Sequence, residues 1–175
     1  MSTPHENELA ETIAYTAIRR LQNRYADIVT RRAWPELHEV MVPDCPITVD
    51  LLDRAIELDG PQGIGDFIGG QLEQFDFFEF VILNTVMEID APAGTARARM
   101  YIQEARQNRS DGHRSDTFGV YHDRFVRDAD RRWWFARRRY RSYARTSPVP
   151  VEQTNEHTAD LVVFDLATIA LHDID

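Results

Sequence analysis

Apolar residues recur along this chain in two rhythms. From Glu8 to Arg32, Leu9, Ile13, Ala17, Leu21, Tyr25 and Ile28 return every three or four positions with no Gly or Pro between them, which predicts a long amphipathic helix with one buried stripe. Residues 1–7 read as a loose tail. Trp34-Pro35 breaks the rhythm, because the residue before a proline is pushed out of helical geometry. Pro35 can then open a short helix through Met41, with Leu37, Val40 and Met41 inward. Ile47–Leu51 and Arg54–Leu58 read as two short strands, and Asp59-Gly60-Pro61 as a break. Ile64, Phe67, Ile68 and Leu72 restore helical spacing over Gly63–Leu72.

The second rhythm is alternation, and it dominates residues 75–143. Phe77–Asp90 is rich in β-branched and aromatic residues and ends at Ala91-Pro-Ala-Gly94, a sequence suited to a turn. Thr95–Gln107 alternates arginines with Ala96, Ala98, Met100 and Ile102, and Asn108–His113 is polar enough to reverse the chain. Thr117–Arg127 and Trp133–Tyr143 follow, joined by the hairpin-length connector 128–132. Strands this long must twist and curl. A curled sheet has a concave face that something must fill. Helices first and a meander later predict an α+β plan, with the N-terminal helices covering one face of a curved sheet. Residues 1–145 read as one domain; 146–175 read as an extension, a polar linker followed by an apolar segment, Leu161–Leu171, that docks on its own domain or on a second protomer.

Composition narrows the picture. The 175 residues are 43% apolar and 28% charged, an ordinary balance for a globular protein able to bury a core. A formal charge of −9 argues against nucleic acid or an anionic membrane as partner. All 20 basic residues are arginine; those crowding 131–145 read as a solvated, cross-paired strand. The lone Cys45 excludes an internal disulfide and reads as a buried structural thiol. No long apolar run and no basic-then-apolar leader is present, so the expected location is cytoplasmic. No Gly-rich phosphate loop, GxSxG elbow or metal-ligand spacing appears, and no metal or cofactor is expected.

Several fragments resemble one family in order and spacing: Arg24-Tyr-Ala-Asp27 with Arg32-Ala-Trp34, Ile64-Gly-Asp-Phe67, Leu83-Asn84, Gly119-Val-Tyr-His-Asp-Arg-Phe-Val-Arg127 and Trp133-Trp-Phe-Ala-Arg-Arg138. Together they span residues 9 to about 143 and resemble the NTF2-like superfamily, in its SnoaL-like and scytalone-dehydratase-like branch. The resemblance implies a cone-shaped α+β barrel enclosing a pocket for a small, mostly apolar or aromatic molecule, commonly a homodimer through the outer sheet face. It also implies cofactor-free acid–base chemistry of the dehydratase, isomerase, cyclase or dehydrohalogenase kind. Such members place an Asp near the end of the first helix and a His in the first long strand. This chain has Thr30 and Phe80 there.

The remaining titratable residues supply the candidates. Asp27 lies a turn before Thr30 on the same helix face. It can reach the pocket, or it is solvated and paired with Arg24 or Arg31. Glu104 follows Met100 and Ile102 on one strand face, where a carboxylate with a raised pKa can act as a base, or can simply pair with an arginine. His122 is the one histidine inside a predicted long strand; it shuttles protons if it faces inward and is a surface or interface residue if not. Tyr25, Phe80, Asn84, Met100 and Tyr121 are candidates for positioning the substrate, with alternation putting Phe80, Ile82 and Asn84 on one face. Three functions stay open: a lyase or isomerase acting on a small cyclic or polyketide-like molecule, a non-catalytic ligand-binding protein, or a structural subunit resembling the β subunits of ring-hydroxylating dioxygenases.

Overall fold

A computed structural model describes residues 3–51 and 54–146, and the backbone of 161–163. The first helix, α1 (Pro4–Arg31), begins earlier than its apolar rhythm suggests. Thr3 accepts a hydrogen bond from the Glu6 backbone N–H, and the Glu6 carboxylate accepts one from Thr3 N at 2.7 Å. This capping box, with Pro4 in the first turn, orders residues expected to be a loose tail. The buried stripe also differs at its start. It runs through Ala14, Ile18, Leu21, Gln22, Tyr25, Ile28 and Val29, while Leu9 and Ile13 are exposed. Arg32 ends the helix in a left-handed conformation and donates to the Phe75 carbonyl at 2.8 Å, tying the helix end to the sheet.

A 3-10 turn (Trp34–Glu39) leads to β1 (Pro46–Asp50) and β2 (Ala55–Asp59). The next helix, α2 (Gly60–Leu72), starts where the sequence reads as a break. Gly60 adopts φ +67, and a Cβ there would collide with the Pro43 carbonyl, so the position favours glycine. Pro61 then opens the helix.

Four long strands complete the fold: β3 (Phe75–Asp90), β4 (Thr95–Asn108), β5 (Arg114–Arg127) and β6 (Trp133–Thr146). The sheet order is β2-β1-β6-β5-β4-β3, with β1 parallel to β6 and the other pairs antiparallel. Register shifts at Ile82/Asn84, Phe118/Gly119 and Arg124/Phe125 mark irregularities of the kind that bend long strands. A short strand, β7 (Leu161–Val163), pairs with the chain's own β6 at Ala144–Thr146; the rest of the expected extension, 147–160 and 164–175, lies outside the described residues. No helix among the described residues is long and apolar enough to cross a membrane.

Candidate functional site

Directly opposed residues share a sheet face, so the pairing register arranges the inner face of β4, β5 and β6 in rows. The rows run Ala98–Asp123–Arg138, Met100–Tyr121–Tyr140, Ile102–Gly119–Ser142 and Glu104–Thr117–Arg145. The first of these is closed off. Arg138 donates from Nε and Nη2 to the Asp123 carboxylate at 2.8 and 3.2 Å, with both side chains essentially inaccessible. Its guanidinium also lies 3.9, 4.1 and 4.2 Å from the ring centres of Tyr25, Tyr121 and Phe135. Burial pushes the Asp123 carboxyl up while the Arg138 charge opposes that shift. The two-pronged geometry favours the ionised pair. Tyr25 packs edge-on against Phe80 at 5.6 Å, so rings fill this depth of the cone.

Above that plug lies a cavity of about 360 Å³. One wall is apolar, formed by Val29, Val49, Ile64, Phe67, Ile68, Leu72, Phe75, Phe78 and Phe80. The sheet wall is polar: Glu104, Arg106, Thr117, Tyr121, Tyr140 and Ser142, with Arg54 and Arg145 also lining the space. Gly119 makes the sheet wall possible, because a Cβ there would run into the Tyr140 ring. Tyr140 and Tyr121 lie with ring centres 5.0 Å apart. Burial raises both hydroxyl pKa values well above the ordinary 10.0, so near neutral pH they remain proton-bearing donors.

Glu104 is the acid of this wall. Its carboxylate is 3.9 Å from Arg106, and both side chains retain 21% exposure. Burial lifts its pKa above the ordinary 4.5 and Arg106 pulls the other way. Arg106 donates to the Thr117 hydroxyl, and its guanidinium carbon lies 5.3 Å from the centre of the Phe75 ring. A carboxyl held above its usual range beside a fixed cation can remove or return a proton and has a partner for charge that develops nearby.

Of the residues singled out from sequence, Glu104, Tyr121 and Phe80 meet at this cavity. Met100 and Tyr25 are buried beneath it, in the core. Asp27 is exposed and accepts from Arg31 Nε and Nη2 at 3.0 and 2.9 Å, so its helix face turns to solvent. Asn84 is exposed as well, because the register shift after Ile82 pairs it with Tyr101 on the other sheet face. His122 is buried, yet it lies between Arg99 and Arg139 on the face opposite Tyr121. Thr30 and Phe80 are joined structurally: the Thr30 hydroxyl accepts from the Phe80 N–H at 3.1 Å. Arg106, Thr117, Tyr140 and Ser142 escaped the sequence reading. For Thr117, Tyr140 and Ser142 the signal is the phase of β5 and β6, which the irregular pairings interrupt; Arg106 follows Glu104 by two residues on β4 and shares its face. No cluster of metal-ligating side chains occurs among the described residues.

Three comparisons bear on this site. Residues 10–139 match the model of the SnoaL-like domain. No curated protein matches the chain. Among solved structures, a putative scytalone dehydratase from Novosphingobium aromaticivorans superposes with a TM-score of 0.68 at 18% identity, over 81% of this chain and 91% of that one. A hexachlorocyclohexane dehydrochlorinase, LinA-type3, from Novosphingobium barchaimii gives 0.66 at 18% identity, over 77% and 90%. ActVI-ORFA from Streptomyces coelicolor gives 0.62 at 14% identity, over 73% and 96%. At these identities the superpositions establish the cone-shaped α+β fold alone.

Proposed function

Since the chain belongs to the SnoaL-like domain family, we propose that it is a lyase or isomerase that moves a proton on a small cyclic, polyketide-like molecule held in the 360 Å³ cavity, with Glu104 as the acid–base group. The observation that carries this reading is Glu104 itself, the one carboxylate on the cavity wall among the described residues, raised by burial and set beside Arg106. Ionised Glu104 takes a proton from a carbon next to a carbonyl or leaving group. The electron pair passes to the carbonyl oxygen as an enolate, or forms a double bond as the leaving group departs. In an isomerisation the protonated acid returns the proton at another carbon. Tyr121 and Tyr140 donate to the oxygen on which charge builds, and Arg106 offsets that charge. The neighbouring dehydratase and dehydrochlorinase folds are consistent with elimination chemistry.

The test follows α-proton exchange of 2-tetralone, an enolisable bicyclic ketone, in D2O by NMR. Wild-type protein is expected to accelerate exchange and Glu104→Gln to abolish the acceleration; equal exchange by both sinks the proposal. A second reading, ligand binding without chemistry, draws on Thr30 and Phe80 standing where the family resemblance implies an Asp and a His. We also read the chain as a homodimer joined through the outer sheet face, where Tyr101, Phe118 and Tyr143 pack together, half-buried. A monomeric mass in sedimentation would remove that reading.

A further inference from the structure

Strand pairing sets Phe80 directly opposite Glu104. Both side chains leave the sheet on the cavity wall, and residues so opposed have Cβ atoms about 5 Å apart. An aromatic ring and the acid of the wall are therefore immediate neighbours. Phe80 is held by helix and sheet together. Its backbone N–H donates to the Thr30 hydroxyl, at the end of α1, at 3.1 Å. Its ring meets Tyr25 edge-on at 5.6 Å and Tyr121 at 6.0 Å. The Arg138 guanidinium lies 3.9 and 4.1 Å from those two rings, and Tyr25 is fully buried. The Phe80 ring thus rests on a closed plug and has no space into which to retreat.

A carboxylate that takes a proton must come within about 3 Å of the atom that yields it. A carbon that close to Glu104 lies against the Phe80 ring, so a large substituent on the same carbon competes with that ring for one volume, and overfilling a close-packed site is costly. We infer that Phe80 determines specificity, restricting the cavity to ring compounds whose proton-yielding carbon is a CH2 group without a bulky substituent. This rests on Glu104 being the acid–base group, as in the proposed function, and it narrows the substrate class.

The experiment compares binding of 2-tetralone and 1-benzyl-2-tetralone, which carries on the carbon beside the carbonyl the ring that Phe80→Ala removes, by titration calorimetry on the full chain. Wild type is expected to favour 2-tetralone at least about tenfold, the lower range for a single surplus methylene in an apolar pocket. Phe80→Ala is expected to shrink that preference at least about tenfold, and Phe80→Leu, which keeps an apolar side chain in the core, to shrink it by less. A purely structural role for Phe80 would weaken both ligands together and leave their ratio unchanged. Equal affinities in wild type, an unchanged ratio in both variants, or no binding of 2-tetralone by wild type would overturn the inference. Proton exchange of 2-tetralone in D2O, followed in parallel, separates it from the proton-transfer reading. A preference that follows Phe80 without wild-type exchange activity leaves the steric restriction standing and removes catalysis; exchange activity with equal affinities does the reverse.

Discussion

Two acid–arginine pairs sit within the same cone, and their surroundings assign them different work. Asp123 and Arg138 meet at 2.8 Å, both essentially inaccessible, with three aromatic rings around the cation. Glu104 and Arg106 stand 3.9 Å apart, each 21% exposed, on the wall of the cavity. A buried pair with good two-pronged geometry recovers part of its desolvation cost and becomes structural. A looser pair beside open space leaves oxygen and nitrogen valences for a ligand. Burial alone therefore does not single out the acid that faces the cavity, since Asp123 is the more buried of the two.

The sharpest way to break this contrast is to remove one partner of each pair. Asp123→Ala strands a buried guanidinium among rings and is expected to cost about 3–5 kcal/mol of stability, read by denaturant titration. A loss near zero would mean that the deep pair is not structural. Glu104→Gln should leave stability within about 1 kcal/mol of wild type while lowering turnover about 10²–10⁴-fold, the range for a lost general acid–base group.

The pH dependence of Glu104 has a definite sign. Its folded pKa lies above the unfolded value of 4.5, so its contribution to stability is complete below the unfolded value and is lost as pH rises through the folded one. In the proposed role of base it must be ionised, so the acidic limb of kcat/KM is expected above pH 4.5 and should vanish in Glu104→Gln. Next in size, Gly119→Ala drives a methyl group into the Tyr140 ring. The expected cost is about 1–3 kcal/mol, together with weaker ligand binding as Tyr140 shifts into the cavity. The smallest effect belongs to Asp27→Asn, because that carboxylate is exposed and pairs with Arg31. Turnover should match wild type, and a loss comparable to that of Glu104→Gln would return Asp27 to the site.

The elements of the fold were legible because their signals are local. The helical rhythm over 8–32 and the alternation over 77–143 place α1 and the four long strands to within a few residues of their observed ends. The misplacements have physical causes. Thr3 and Glu6 cap a helix that hydrophobic spacing starts later, and the register shift after Ile82 carries Asn84 to the opposite face. His122 illustrates the limit most clearly. Strict alternation assigns it to one of two faces, and only pairing with Arg99 and Arg139 identifies which.

Taken alone, the amino-acid order determined the type and succession of the elements, the amphipathic helix over a curled sheet, and Glu104 as an acid among apolar neighbours. These follow from periodicity and composition, which are properties of short windows. Tertiary structure decided which acid touches open space. It set Asp123 against Arg138 inside a plug of rings, and it assembled Arg106, Tyr121 and Tyr140 around Glu104. Those outcomes depend on strand register and on irregularities that shift alternation by one residue, and register is a relation between distant segments that no single window contains.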